Sequence, residues 1–273
     1  MIYREKFRIE CRGSGKIPDV SHVRCYCMIT LRCLRRPLFV GSRSLMPFCL
    51  AVFMVAGSAV ADESPARVEM FNGKDLSGWE GAPGWWTVED GALTSESTPA
   101  KKCLKPNYLV WTGGEPEDFQ LDCEFKLSAE GNSGIQIRSE RRPNHDMFGY
   151  QADMTGDGKL LGFIYHHQYG LVAERGTRVT ISADGKRQAE TLADPKALLA
   201  HYKPDEWNQY RIRCEGPKIS IWINGVLMCD IADHSAKTAA TKGFIGLQMH
   251  PGPPMKVRFR HLSLTPLKNA SKP

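Results

Sequence analysis

The sequence has almost no helical signature. Only Asp194-Pro-Lys-Ala-Leu-Leu-Ala200 combines a capping residue, a proline in the first turn and apolar spacing. It is too short to be more than a peripheral turn of helix, which leaves an all-β architecture. Internal repeats, low-complexity tracts and internal linkers are also missing. No two cysteines stand in a Cys-x-x-Cys pair, so a zinc ribbon is not supported. No strand carries closely spaced acids of the Glu-x-Asp-x-x-Glu kind. That argues against an endo-glycanase of the laminarinase type, because two carboxylates must flank the bond being cut.

An excess of positive charge is absent too, once the charges are placed along the chain. Of the 36 Lys and Arg and 30 Asp and Glu, ten basic and three acidic residues lie in 1–61. The remainder carries 26 basic and 27 acidic residues, a net charge of about −1. Binding to nucleic acid needs a basic surface that neutralises phosphates, so nucleic acid is dropped as a partner.

Residues 1–61 read as a long leader with a secretory signal peptide. Arg32, Arg35, Arg36 and Arg43 precede an apolar run over 45–60 that ends in Ala59-Val60-Ala61, the small-x-small pattern accepted by signal peptidase. Pro47 and Gly57 interrupt the run, and it is too short for a good membrane span. Phe48 before Cys49 argues against lipidation there, and Met28 offers an alternative start. The expectation is cleavage after Ala61, export to the periplasm or the extracellular space, and no stable membrane insertion afterwards. Residues 62–273 then form a single domain, enough chain for one sizeable core. Its four cysteines, Cys103, Cys123, Cys214 and Cys229, allow three disulfide pairings. Cys123, Cys214 and Cys229 fall on apolar strand faces, where a buried free thiol is the commoner outcome.

What is present is alternation with a period of two. In Phe119–Leu127 the odd positions are apolar and the even ones polar. Tyr210, Ile212 and Cys214 alternate with Arg211 and Arg213; Ile219, Ile221 and Ile223 alternate with Ser220, Trp222 and Asn224. Asn224-Gly225 sits between that run and the next, the strongest short-range hairpin signal. Many short strands divided by Gly and Pro predict an all-β jelly-roll sandwich of two antiparallel sheets. Trp79, Trp85, Trp86 and Trp111 are read first as core packing and second as sugar-stacking platforms.

Three strand faces carry side chains unusual for a merely solvated surface. Gln136 pairs by parity with Arg138, Gln151 with Asp153, and Gln248 with His250. Placed side by side on one sheet, they would line a cleft of amides, a guanidinium, a carboxylate and an imidazole. Such groups bind hydroxyls and move protons.

An ordered set of motifs resembles one family. It opens with Phe71-Asn-Gly-Lys-Asp-Leu-Ser-Gly-Trp79 and Trp86-Thr-Val-Glu-Asp-Gly-Ala-Leu93. Tyr108-Leu-Val-Trp111, Gly131-Asn-Ser-Gly-Ile-Gln-Ile-Arg138 and Gly149-Tyr-Gln-Ala-Asp153 follow. Trp207-Asn-Gln-Tyr-Arg-Ile212, Trp222-Ile-Asn-Gly225 and Ile245-Gly-Leu-Gln-Met-His-Pro-Gly-Pro-Pro254 complete it. Over about 68–266 the chain is similar to the 3-keto-disaccharide hydrolase domain, abundant in planctomycetes and Bacteroidetes. The resemblance implies a concanavalin A-like jelly roll that cleaves glycosides already oxidised at sugar C3, with an oligosaccharide or glycoside as partner. It also implies a divalent cation as one candidate electrophile. On that basis Asp153 and His250 are expected as base or metal ligand and Arg138 as the stabiliser of an enolate. Gln136, Gln151, Gln248, Tyr165 and His166 are expected to hold substrate. Where many relatives have Gly-x-x-Tyr-Asp/Glu, this chain has Gly162-Phe-Ile-Tyr165-His166-His167, which offers imidazoles in place of a carboxylate. A non-catalytic carbohydrate-binding module is the competing reading, since the same fold hosts both.

Overall fold

The alternation in Phe119–Leu127 is matched by burial at every position, odd residues buried and even ones half-buried. The strand sits in the middle of a ten-stranded sheet. The computed structural model describes residues 66–267, and the expected leader over 1–61 lies outside them. The sheet runs in the order Arg187–Thr191, Thr177–Ile181, Val226–Asp233, Lys218–Ile223, Asn208–Glu215, Phe119–Leu127, Lys256–Pro266, Ala92–Glu96 and Trp86–Glu89, with Val68–Glu69 on the Lys256–Pro266 strand. A second sheet of seven strands runs Gly170–Ala173, Ile164–His166, Asp146–Thr155, Asn132–Arg142, Phe244–Met249, Asn107–Trp111 and Trp79–Glu80.

One core lies between the sheets. Phe125, Tyr210, Ile212 and Ile221 from the large sheet join Ile135, Ile137, Tyr150, Ala152 and Leu247 from the small one, all of them buried. Fully burying one large apolar side chain contributes roughly 1.5–3 kcal/mol, so this layer is the main source of stability. The architecture is the expected concanavalin A-like jelly-roll sandwich, with one exception to antiparallel pairing. Thr177–Ile181 runs parallel to Val226–Asp233. The chain between them forms three further strands and the short helix before it returns, the long crossover that parallel neighbours need.

Local signals behave as their chemistry requires. Asn224 and Gly225 take φ of 49° and 81°, the left-handed pair of a two-residue hairpin between Ile223 and Val226. The short helix is Pro195–Leu199, and the Asp194 side chain accepts from the Lys196 backbone N–H at 3.0 Å. Trp79, Trp86 and Trp111 are buried, which favours core packing over sugar stacking for these three. Trp85 is half-buried beneath the Lys101 ammonium, 4.5 Å from the ring centre. All four cysteines of the described region are buried and unpaired. Among the described residues no helix is long and apolar enough to cross a membrane.

Candidate functional site

The small sheet turns one face to the core and the other to a cleft of about 320 Å³ lined by Gln151, Asp153, Tyr165, His167, Gln248 and His250, with Asn132, Pro106, Leu160 and Pro251 around them. Strand register builds its floor. Gln136 stands opposite Gln151, and Gln151 opposite Tyr165. Gln248 stands opposite Tyr108, and Asp153 opposite Gly134. Gly134 is required there by space: a Cβ at this position would meet the Gln151 side chain at 2.6 Å. Its absence lets Gln151 lie across the neighbouring strand.

The floor is one hydrogen-bonded network. Gln151 Nε2 donates to Asp153 Oδ1 at 2.6 Å and lies 3.2 Å from Gln248 Oε1. Gln136 Nε2 donates to Gln151 Oε1 at 2.9 Å, while Ser139 Oγ donates to Gln136 Oε1 at 2.6 Å. Gln248 Nε2 donates to the Tyr108 hydroxyl at 2.8 Å. His167 Nε2 lies 3.2 Å from that hydroxyl, and its Nδ1 lies 3.2 Å from the Gly149 carbonyl. With Nδ1–H toward Gly149, Nε2 accepts from Tyr108; with Nδ1 accepting from Gln136 Nε2 at 3.1 Å, Nε2–H donates to Tyr108, and in both tautomers His167 holds that hydroxyl.

Burial sets the acid–base character of these groups. Asp153 is 7% exposed. Desolvation raises its carboxyl to about 7, against the opposing hydrogen bond from Gln151. Burial likewise pushes the Tyr108 hydroxyl well above its usual range, so it stays protonated and able to donate. His250 is pulled below the ordinary imidazole value by burial, and its Nδ1 sits 2.6 Å from the Pro251 carbonyl. That contact fixes Nδ1 as the protonated nitrogen and leaves Nε2 as a neutral acceptor.

Two expected site residues are elsewhere. Arg138 does not share the face of Gln136. Between the pairs Ile137–Tyr150 and Glu140–Phe148, residues 138 and 139 stand against Gly149 alone, a β-bulge. Arg138 takes φ of 47°, and Ser139 occupies the cleft side in its place. The Arg138 guanidinium instead donates to the carbonyls of Glu117, Gly216 and Ala240 and to Asp118 Oδ1 at 3.0 Å. It ties loops together at the end of the sandwich and does not reach the cleft. His166 follows Tyr165 on a strand and therefore faces the other way. Its ring packs edge-on against Tyr150 and Phe148, at 4.9 and 5.8 Å between centres. The imidazole facing the amide network belongs to His167.

Sequence reasoning passed over Tyr108 and His167. Tyr108 lies in a strand buried at every position, so no alternation marks its polar face. His167 follows the last strand residue, beyond the reach of parity, although the Tyr165-His166-His167 run signalled imidazole chemistry.

A divalent cation in this cleft would find few anionic donors. Among the described residues Asp153 is the one carboxylate lining the cleft, and its Oδ1 already accepts from Gln151. Among the described residues no three His, Cys, Asp or Glu side chains converge. This set does not fit a resident cation held by protein ligands.

Comparisons with known proteins agree with the motifs. A sequence profile of the 3-keto-alpha-glucoside-1,2-lyase-like domain matches residues 66–265. A 3-keto-disaccharide hydrolase of Bacteroides thetaiotaomicron is 27% identical over 172 residues, covering 55% of this chain and 53% of that protein. The chain thus matches about half the length of that relative. Among solved structures, a candidate glycosyl hydrolase from Parabacteroides distasonis aligns with a TM-score of 0.48 and 20% identity, over 74% of this chain and 100% of that one. A carbohydrate-binding module from Bacillus subtilis aligns at 0.46 and 13%, over 69% and 95%. With the profile covering nearly all of the described residues, the chain belongs to the 3-keto-alpha-glucoside-1,2-lyase-like family.

Proposed function

We propose that this protein cleaves glycosides oxidised at sugar C3, with Asp153 as the base. The observation that carries this reading is a buried carboxyl at about 7 in a cleft floored by hydroxyl-binding amides. A C3 ketone acidifies the hydrogen on C2. Asp153 takes that proton, and the electron pair moves to the C3 oxygen as an enolate. A base tuned near neutrality combines a useful ionised fraction with adequate basicity. Gln248 lines the cleft and gives one Nε2 hydrogen to Tyr108, so its second N–H is the donor for the enolate oxygen, the part first expected of Arg138. Re-forming the ketone expels the C1 oxygen, which takes a proton from solvent. Water then adds across the C1–C2 double bond to give the free 3-keto sugar.

The decisive experiment incubates the protein with 3-keto-glucosides, with and without chelator, beside Asp153→Asn. Turnover by wild type that the variant loses supports the assignment. Turnover that chelation abolishes and added divalent cation restores would transfer the electrophile's part to a metal. Glycan binding with no turnover under any metal condition would support the binding-module reading, which the amide-rich floor also suits. We further propose export with cleavage after Ala61, tested by sequencing the N-terminus of protein recovered from its native host; a terminus well upstream of Leu45 would overturn it.

A further inference from the structure

The cleft continues past His250 into a second cavity of about 250 Å³. The two share Asn132, His250 and Pro251 as common walls. Beyond them the second cavity's lining combines the Thr155 hydroxyl and the carboxylates of Glu130 and Asp157 with the hydrocarbon of Pro253 and Met255. A pyranose offers matching groups, a rim of hydroxyls and a C–H face, and the space suits one ring.

Charge narrows the class. Hydrogen bonds from the Lys159 ammonium and backbone N–H hold Asp157 at about 2, so it stays ionised. The Lys159 ammonium meets it at 2.7 Å, yet that side chain is 83% exposed and does not line the cavity. Glu130 forms no ion pair among the described residues. The carboxylates accept well from hydroxyls and repel anions.

We propose that this cavity, on the far side of His250 from Asp153, binds the leaving part of the substrate as an uncharged, hydroxyl-bearing sugar ring and discriminates against leaving groups with a carboxylate or sulfate. The inference rests on the proposed function in taking the bond near Asp153 as the one cut. It adds which wall receives the departing ring and why an acidic one is disfavoured. His250 stands between the two spaces with Nε2 free to accept from a hydroxyl of either ring.

The test compares two substrates on the whole protein: a 3-keto-disaccharide and methyl 3-keto-glucoside, whose leaving group is too small to reach past His250. Glu130→Ala and Pro253→Ala lie outside the catalytic cleft. Each is expected to raise KM for the disaccharide ~10-fold, the worth of one lost charged hydrogen bond or ring contact. KM for the methyl glycoside should move by less than about twofold. A disaccharide with a uronic acid as leaving ring should bind worse than its neutral counterpart, and Glu130→Gln should narrow that gap. Equal changes for both substrates, or no change for either, would overturn the assignment. Turnover of the methyl glycoside by wild type reports on the catalytic reading alone. If that turnover is absent, the same ratios are read as Kd by calorimetry, with the same two outcomes.

Discussion

Gln151 Nε2 meets Asp153 Oδ1 at 2.6 Å, two positions along the same strand, and among the described residues is the one side-chain donor to that carboxylate. The amide orients the group without neutralising it, and the surrounding burial then decides its proton affinity. Strand parity places both side chains on the cleft face, Gly134 clears the space they occupy, and Gln136 holds the amide from behind.

The first prediction follows for pH dependence. Asp153 must be ionised to accept a proton, so kcat/KM for a 3-keto-glucoside should rise with pH through about 7 and level off above it. Asp153→Asn should lower turnover by ~10²–10⁴-fold, the usual worth of a general base, and abolish that ionisation from the profile. A wild-type profile flat between pH 5 and 8 would exclude Asp153 as the base.

Stability should move in the opposite sense. The folded carboxyl keeps its proton up to about 7, while the unfolded one releases it near the ordinary aspartate value of 3.8. Between those values the unfolded state has fewer bound protons, so its population is favoured as pH rises. Wild type should therefore lose stability from about pH 4 to 7 and stay level above. Asp153→Asn removes the buried charge and should be more stable than wild type at pH 8, by on the order of 2–4 kcal/mol, with the gain vanishing near pH 4. Thermal melts of both proteins at the two pH values measure this directly.

Arg138 should be a stability residue. Its guanidinium is buried and bonded to three loop carbonyls and Asp118. Replacing it leaves a carboxylate and several carbonyls without their donor, a loss of roughly 3–5 kcal/mol. Arg138→Met is expected to lower the melting temperature sharply while kcat per folded molecule stays within about threefold of wild type. A collapse of kcat with an unchanged melt would restore Arg138 to the chemistry, at a cost of several kcal/mol in transition-state stabilisation.

How far the site was legible in the sequence depended on how regular the strands are. Gln151 and Asp153 share a face because their strand runs unbroken through both positions, and period two then holds; His250 stands one residue past the Phe244–Met249 strand and still lines the cleft with Gln248. Arg138 failed because one extra residue opposite Gly149 reverses parity, and the sequence does not announce a bulge. The glycine itself was visible, and a glycine within a strand is the signal that such a break leaves. Tyr108 was hidden for another reason: a strand buried on both faces shows no alternation to read. The Asn224-Gly225 hairpin and the Asp194 cap depend only on local chemistry and were legible, as was the sandwich from strand alternation, apart from the parallel pairing of Thr177–Ile181 with Val226–Asp233.

His166 and His167 give the sharpest contrast, because adjacent residues of one type are assigned different work. The His166 ring is 5% exposed and wedged between Tyr150 and Phe148, and burial pulls it below the ordinary imidazole value. His167 touches the Tyr108 hydroxyl and the Gln136 amide at 3.2 and 3.1 Å. Truncating His166 to Ala removes a packed ring and should cost about 1–3 kcal/mol of stability, read as a lower melting temperature, with kcat/KM per folded molecule retained. Truncating His167 to Ala removes the hydrogen-bonding partner that holds the Tyr108 hydroxyl beneath Gln248. It should lower kcat/KM ~10–100-fold, within the range of one lost hydrogen-bonding partner in a water-poor site, with the melting temperature nearly unchanged. His167→Gln keeps a donor and an acceptor in reach and should recover part of that loss, which a purely structural role for His167 would not produce. If the two alanine variants exchange these behaviours, the imidazole serving the cleft is His166, and the register that turns it toward Tyr150 is wrong.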